Sequence, residues 1–329
     1  MSEVYRFGQM SRQNFHARLN RQHAFEELCG QLILLIREVR QNHPRMSARQ
    51  IYYKLQPVGI GRDRFEAFAH EQGFRLDKVK NYRKTSCSAG VSRFPNLVNG
   101  LELTDVNQAW VSDITYYELG NRFYYLTFIM DLYSRLILGA HASRDLRTIH
   151  TTIPALKQAL RLRQGQDLQG LIVHSDGGGQ YYCKDFLDIT RLHGIRNSMA
   201  EMAYENPNAE RINGTIKNDY LIPYGPQDER SLGRMLAKAV WYYNYDRPHA
   251  ALRKSSPYNF DRMALEAKGE KAKPIACFTA FQDKQAPEPV KGMTSDHNPT
   301  GSIQVTLDRT RSLSSYSVGG KTGKNPNNP

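Results

Sequence analysis

Apolar residues recur at Phe25, Leu28, Leu32, Ile36 and Val39, a stripe whose spacing predicts a helix over 24–43, ended by Pro44. A shorter helix is expected just before it, in SRQNFHARL. Ser47 is placed to cap a second helix over 48–56, and the turn PVGIG (57–61) follows. A third helix over 62–73 closes at Gly73, a residue that takes the left-handed conformation at a helix end without a Cβ clash. Two short helices across a glycine-containing turn form a helix-turn-helix candidate; an ordinary packed hairpin is the plain alternative. Residues 76–99 carry no periodicity and read as a polar, basic connector.

From residue 105 the period shortens. AWVSDITYYEL (109–119) and RFYYLTFIMDLYS (122–134) are rich in β-branched and aromatic residues, and Gly120-Asn121 between them is a hairpin signal. RLILGAHAS (135–143) adds a third strand and completes an antiparallel meander. A helix over about 148–163, the apolar run LIVH (171–174), a helix over 184–194 ended by Gly194 and a short strand IRNSM follow. Asn206-Pro207 opens a helix that runs to about Leu221, with proline in the first turn where its missing N–H costs nothing. A last helix spans about 228–246. The order β-β-β-α-β-α-β-α predicts an α/β core, a mixed sheet flanked by helices. The expected organisation is a helical region over 1–85, a linker over 86–104, this core over 105–262, and a polar, disordered tail over 263–329.

Charge sharpens that division. The 329 residues carry a net charge of +13, and residues 1–100 hold 17 Lys and Arg against 8 Asp and Glu. An excess of this sign attracts polyanions, so the helical pair reads as a DNA-docking element with Arg62 and Arg64 directed at the duplex. Lys78, Lys80, Arg83 and Lys84 suit backbone phosphates or a solvated surface equally well. Cys29, Cys87, Cys183 and Cys277 are scattered, which gives neither a zinc site nor a disulfide framework and fits a reducing cytosol. No long uncharged apolar run spans a bilayer, and the first residues lack a signal-peptide core, so no membrane association is expected.

Three carboxylates carry the candidate chemistry. Asp113 falls mid-strand, on one face with Val111 and Thr115, where a carboxylate is costly to bury without a partner. Asp176 follows LIVH, at the end of a strand where open α/β sheets hold ligands, and the glycines after it let backbone or substrate approach. Glu210 lies one turn into its helix and shares a face with Asn213, Gly214 and Lys217. Glu205 is its rival, but precedes Asn206-Pro207 in a loop and is less rigidly aimed. Solvent-facing strand, loop and helix carboxylates are the plain alternatives. Three convergent carboxylates without Cys or His ligands point to an oxygen-ligand site for Mg²⁺ or Mn²⁺. Two such ions clamp the attacking and leaving oxygens of a phosphoryl transfer. On a basic chain the phosphate is expected to be that of a nucleic acid. A glycosidase reading of the carboxylates fits the charge poorly.

The set WVSDITY, IMDLYSR, HSDGGGQY, YENPNAERINGTIKN and YNYDRPHAAL resembles the second-frame product of insertion sequences of the IS3 family, over roughly residues 10–262. These are bacterial DDE transposases with a retroviral-integrase-like catalytic core. The resemblance implies an RNase H-like fold for the core. It also implies a catalytic, metal-binding triad of Asp113, Asp176 and Glu210 with two Mg²⁺ or Mn²⁺ ions. Lys217, seven positions after the glutamate, is implied to contact DNA, and Asn213 on the same face is grouped with it. HPRMSARQIYYKLQPVGIGRDRF resembles the helix-turn-helix that precedes the core in this family. The implied activity is DNA cleavage and strand transfer at element ends, by a homo-oligomer on DNA in the bacterial cytoplasm, at the nucleoid. The chain departs from the pattern in one place: 33 residues separate Asp176 from Glu210, slightly fewer than usual, and the shortening falls in EMAYEN. The family often fuses an upstream frame by frameshifting, so an upstream-frame partner protein is a further expectation. Two other readings stay open, an RNase H-like nuclease without strand transfer and an inactive or accessory DNA-binding protein derived from a transposase. Packing and DNA contact are equally open for Arg247 and His249.

Overall fold

The computed structural model describes residue 8 and residues 10–77, 93–200 and 205–267, together with the backbone of 275–276 and 302–304. Lys78, Lys80, Arg83 and Lys84, most of the shortened EMAYEN loop and most of the tail lie outside the described residues.

The N-terminal region is three helices: α1 (Arg12–Asn42), α2 (Ala48–Leu55) and α3 (Arg62–Glu71). The two helices expected before Pro44 are one, 31 residues long, which at 1.5 Å per residue extends about 46 Å. Nothing between residues 20 and 24 breaks a helix, and the Ser11 side chain accepts from Asn14 N at 3.2 Å to cap it. Ser47 and Gln50 form a reciprocal capping box at the start of α2. Leu32, Ile36 and Val39 of α1 close over Met46, Ile51, Ile60, Phe65 and Phe68, a small core of its own.

The larger unit is a six-stranded mixed sheet. β1 (Glu102–Leu103) stands apart, paired with β7 (Ile275–Ala276). β2 (Ala109–Leu119), β3 (Arg122–Asp131) and β4 (Ile137–Ser143) form the predicted antiparallel meander. β5 (Ile172–Ser175) runs parallel to β2, and β6 (Arg196–Met199) parallel to β5. With β8 (Ser302–Gln304) on the far edge of β4, the order is β6-β5-β2-β3-β4-β8. The backbone of 275–276 and 302–304 therefore takes strand conformation within the stretch expected to be disordered throughout; backbone ladder pairing needs no apolar pattern, which is why composition did not reveal it.

Strand β3 ends three residues earlier than its apolar run. The Asp131 carboxylate turns the chain there, accepting from Tyr133 N and Ser134 N at 2.9 Å and from Asn107 N at 2.7 Å. Helices α4 (Thr152–Leu162) and α5 (Lys184–Leu192) cover one face through Trp110, Ile129, Leu138, Leu156 and Phe186. Gly139 on β4 permits α4 to come this close, since a Cβ there would collide with the Ala155 carbonyl.

The other face packs Val111, Leu126 and Phe128 against Ile212, Ile216, Leu232 and Leu236. Ile212 lies on α6 (Pro207–Gly214), which continues through a π-helical stretch, Thr215–Leu221, to Ile222–Tyr224. Leu232 and Leu236 lie on α7 (Glu229–Trp241), itself prolonged by a π turn, Tyr242–Asp246. The last described helix, α8 (Pro257–Glu266), crosses the expected boundary at 262. Its Asp261 grips the buried Arg163 guanidinium at 2.5 and 2.7 Å, so α8 packs as part of the core.

The two units dock through α1. His43 reaches Tyr220 Oη at 2.9 Å and Asp246 Oδ2 at 2.8 Å, and Lys54 of α2 also pairs with Asp246. Tyr224 donates to Asn42 O at 2.7 Å. Among the described residues no helix is long and apolar enough to cross a membrane.

Candidate active site

The parallel register aligns Val111 with His174. The ladder stops there: Asp113 lies two residues further along β2, mid-strand, and Asp176 two residues beyond His174, immediately after β5 ends. Strand pairing thus brings the two carboxylates to the same end of adjoining strands.

Helix α6 lies across this point. Asn213 donates to Asp113 Oδ2 at 2.6 Å, and Ile114 N donates to Asp113 Oδ1 at 2.9 Å. Gly178 N donates to Asp176 Oδ1 at 3.1 Å, the function of the glycine run after that aspartate. Glu210 is exposed on the first turn of α6, three residues before Asn213.

Electrostatics ties the three together. Burial lifts the Asp113 carboxyl and the charge of Asp176 lifts it further; Ile114 N opposes, and Glu210 adds to the rise, which reaches about 7. Burial likewise raises Asp176, against the bond from Gly178. Glu205 acts on His174 through its backbone and its charge.

Ser112, the residue before Asp113, joins the supporting elements. Its Oγ donates to Phe128 O at 3.0 Å and meets Tyr181 Oη at 2.8 Å. Its carbonyl accepts from Asn206 Nδ2 at 3.1 Å. Tyr181 lies in the segment after Asp176, and Asn206 is the residue before α6. One wholly buried serine therefore fastens the strand of Asp113 to the loop of Asp176 and to the start of the Glu210 helix. Ser112, Tyr181 and Asn206 sit inside the quoted motifs, but nothing in their spacing announces these bonds.

Lys217 donates to Tyr116 O at 3.2 Å and to Thr115 Oγ1 at 3.4 Å, beside the strand that carries Asp113. Asn213, expected as a DNA contact, is only 7% exposed and holds Asp113 instead, because its helix face packs onto β2. Arg62 and Arg64 belong to α3 and do not join the site. Arg62 pairs with Asp63 at 2.7 Å, and the Arg64 guanidinium stacks 3.8 Å over the Phe25 ring. Arg247 is buried and pairs with Asp219 at 2.7 Å, and the His249 ring packs edge-on to Tyr243, so both serve packing.

Among the described residues no three His, Cys, Asp or Glu side chains are gathered closely enough to hold an ion as they stand. The donor chemistry nonetheless suits a hard divalent cation. Asp113, Asp176 and Glu210 offer only oxygen, and the buried Oδ1 atoms of Asn206 and Asn213 have no hydrogen-bond partner among the described residues.

A mixed sheet with paired aspartates at adjoining strands and a glutamate helix across them defines a protein of the integrase-core class. Models of the integrase core domain match residues 104–204 and 194–257. The insertion element IS600 uncharacterized 31 kDa protein of Shigella sonnei is 32% identical over 64% of this chain and 79% of its own length. The transposase InsF for insertion sequence IS3A of Escherichia coli K12 is 25% identical over 75% of this chain and 87% of its own. The HTLV-2 integrase catalytic core domain, solved in complex with magnesium, overlays 50% of this chain and 99% of its own with a TM-score of 0.40 and 21% identity. The chain belongs to the IS3-family transposases, with an integrase core.

Proposed function

We propose that this protein is a DNA transposase that cuts the strands at the ends of an insertion sequence and joins them to target DNA. The observation that carries the reading is that the charges of Asp176, just beyond a strand parallel to β2, and of Glu210 both act on the buried Asp113 carboxyl. Asp113, Asp176 and Glu210 are the residues that would hold two divalent cations, Mg²⁺ or Mn²⁺. Such ions, when bound, lower the pKa of an attacking water or 3′-hydroxyl and stabilise the leaving 3′-oxygen. Asn213 and Ile114 N fix the two oxygens of Asp113, and Gly178 N fixes Asp176, so the carboxylates are aimed before substrate arrives. Lys217 carries a positive charge along the strand of Asp113 and holds a DNA phosphate there.

The helical region over 1–85, with α2 and α3 as its helix-turn-helix, docks DNA; Arg62 and Arg64 reach phosphates only on giving up Asp63 and Phe25. Residues 86–104 link it to the core, which begins at 105 and closes with α8, and the tail follows. Two element ends call for a homo-oligomer on DNA, at the nucleoid of the bacterial cytoplasm, and an upstream-frame protein is the natural partner.

The test is metal-dependent nicking and joining of a labelled DNA end, comparing the natural chain with Asp176→Ala. Products that require Mg²⁺ or Mn²⁺ and vanish in the variant support the reading. Nicking without joining makes the protein a nuclease of the same fold. Tight DNA binding with no cleavage, the upstream-frame protein supplied, makes it an accessory DNA-binding protein.

A further inference from the structure

The outer end of the β2–β3 hairpin bears an aromatic pair that the carboxylate site does not use. Tyr116 and Phe123 are 38% and 52% exposed, and their rings meet edge to face with centroids 5.6 Å apart. Tyr125, opposite Tyr116 in the ladder, borders them. Paired aromatic rings left in water at a hairpin end add little to the core and are typical of an interaction surface.

A cation stands beside them. Lys217 Nζ lies 5.1 Å from the Tyr116 ring centroid, and its bonds to Tyr116 O and Thr115 Oγ1 keep it there. Lys217 occupies the π-helical stretch, two turns beyond Glu210. Tyr116 is three residues beyond Asp113 on one strand, about 10 Å, and by strand alternation its ring leaves the opposite face of β2, so a DNA strand reaches it by passing round the strand edge at which Lys217 bonds Tyr116 O.

We propose that Tyr116 and Phe123 form a stacking platform for an unpaired base of the DNA strand held at the carboxylate site, with Lys217 binding the neighbouring phosphate. The platform rests on the DNA-cleaving reading above. Bases inside a duplex already stack on one another, so only a base freed from its partner has a face to offer these rings. Every base has such a face, so the platform works without reading sequence. Charge sets the orientation. The exposed Glu118 stands opposite Phe123 in the ladder and repels phosphate, whereas Lys217 by Tyr116 attracts it. The backbone accordingly runs over Lys217 and the base lies over Phe123.

The test uses a forked DNA duplex with 2-aminopurine at the unpaired position, whose fluorescence is quenched by stacking. The full chain is expected to quench it. Phe123→Ala and Tyr116→Ala are expected to lose the quench and bind forked DNA about ten-fold more weakly, with fully paired DNA and thermal midpoints unaffected. Phe123→Trp keeps both signals. Alanine variants that quench like the natural chain while it cleaves DNA overturn the platform alone. A natural chain that binds no DNA overturns the parent reading together with it. Alanine variants that alter self-association of the DNA-free protein but leave the quench intact assign the rings to a protein contact and also overturn the platform.

Discussion

Removing the Tyr181 hydroxyl and removing the Ser112 hydroxyl break the same 2.8 Å bond, yet they should cost different amounts. Ser112 has one proton and donates it to Phe128 O. Tyr181 must therefore be the donor to Ser112 Oγ, and burial raises its phenol well above the usual value, so the proton stays on. Tyr181→Phe leaves Ser112 with its donor satisfied and forfeits one neutral hydrogen bond, about 1 kcal/mol. Ser112→Ala strands a wholly buried phenol, a loss of about 1–3 kcal/mol. The double variant removes both partners and should be less destabilised than the sum of the two single ones. The assay is the denaturant midpoint of all four proteins, read beside single-turnover DNA cleavage in Mg²⁺. Cleavage should fall further than stability alone explains, by up to about a hundred-fold, because a displacement of about 1 Å at a catalytic group has that effect. Equal destabilisation by the two single variants, with strict additivity in the double, refutes the reasoning.

Three further outcomes follow from the packing. His43 is pushed down by burial, and Asp246 is held low because its bonds to His43 and Lys54 outweigh burial. Both groups bind fewer protons folded than unfolded, so their stabilisation is full near neutrality and is lost as pH falls below about 6.5 and then through the carboxylate range. Unfolding measured from about pH 7 to pH 4 should show a steeper acid decline in Asp246→Asn than in the natural chain, because the carboxylate that opposes the burial of His43 is gone and His43 resists protonation more strongly; parallel curves would contradict this. Gly139→Ala should cost about 1–3 kcal/mol or more, since the Ala155 backbone cannot move aside, whereas Gly30→Ala on an open face of α1 should be neutral or slightly stabilising in thermal melts. Asp261→Ala leaves Arg163, 1% exposed, without its bidentate partner, and should cost about 3–5 kcal/mol by chemical denaturation.

Local pattern was enough for the elements that depend on local causes. Proline at 44, the Gly120-Asn121 turn and the Asn206-Pro207 start each fix backbone by their own chemistry, and the structure turns or begins helices at those points. The mixed sheet followed from the change of period at residue 105. What escaped was everything that joins distant residues. Ser112 meets Tyr181 across 69 positions and His43 meets Tyr220 across 177, and neither bond leaves a periodic trace. The boundary at 262 cut through α8 because apolar content falls there, while α8 is held by partners distant in sequence, Asp261 by Arg163 and Phe260 by Tyr133. Asn213 shares its face with Glu210 as the spacing says, but only the sheet beneath shows that this face turns toward Asp113.

These long-range bonds bear on one element, the continuous helix over 207–224. At its start, Asn206 ties it to Ser112 and so to the strand of Asp113. At its far end, Tyr220 and Tyr224 hold His43 and Asn42 at the close of α1. Between them the π-helical stretch sets Lys217 against β2. Glu210 therefore rides on a rod pinned to the catalytic sheet at one end and to the helical region at the other. A shift of α1–α3 on docking DNA cannot leave this helix untouched, because its last turns supply the docking contacts. The two pins are separable in principle. Ser112 changes act on the carboxylates without touching the dock, and Asp246 changes loosen the dock while Asp113, Asp176 and their bonds stay in place. Cleavage that responds to both kinds of change, in a chain whose melting responds to each separately, is the behaviour this geometry requires.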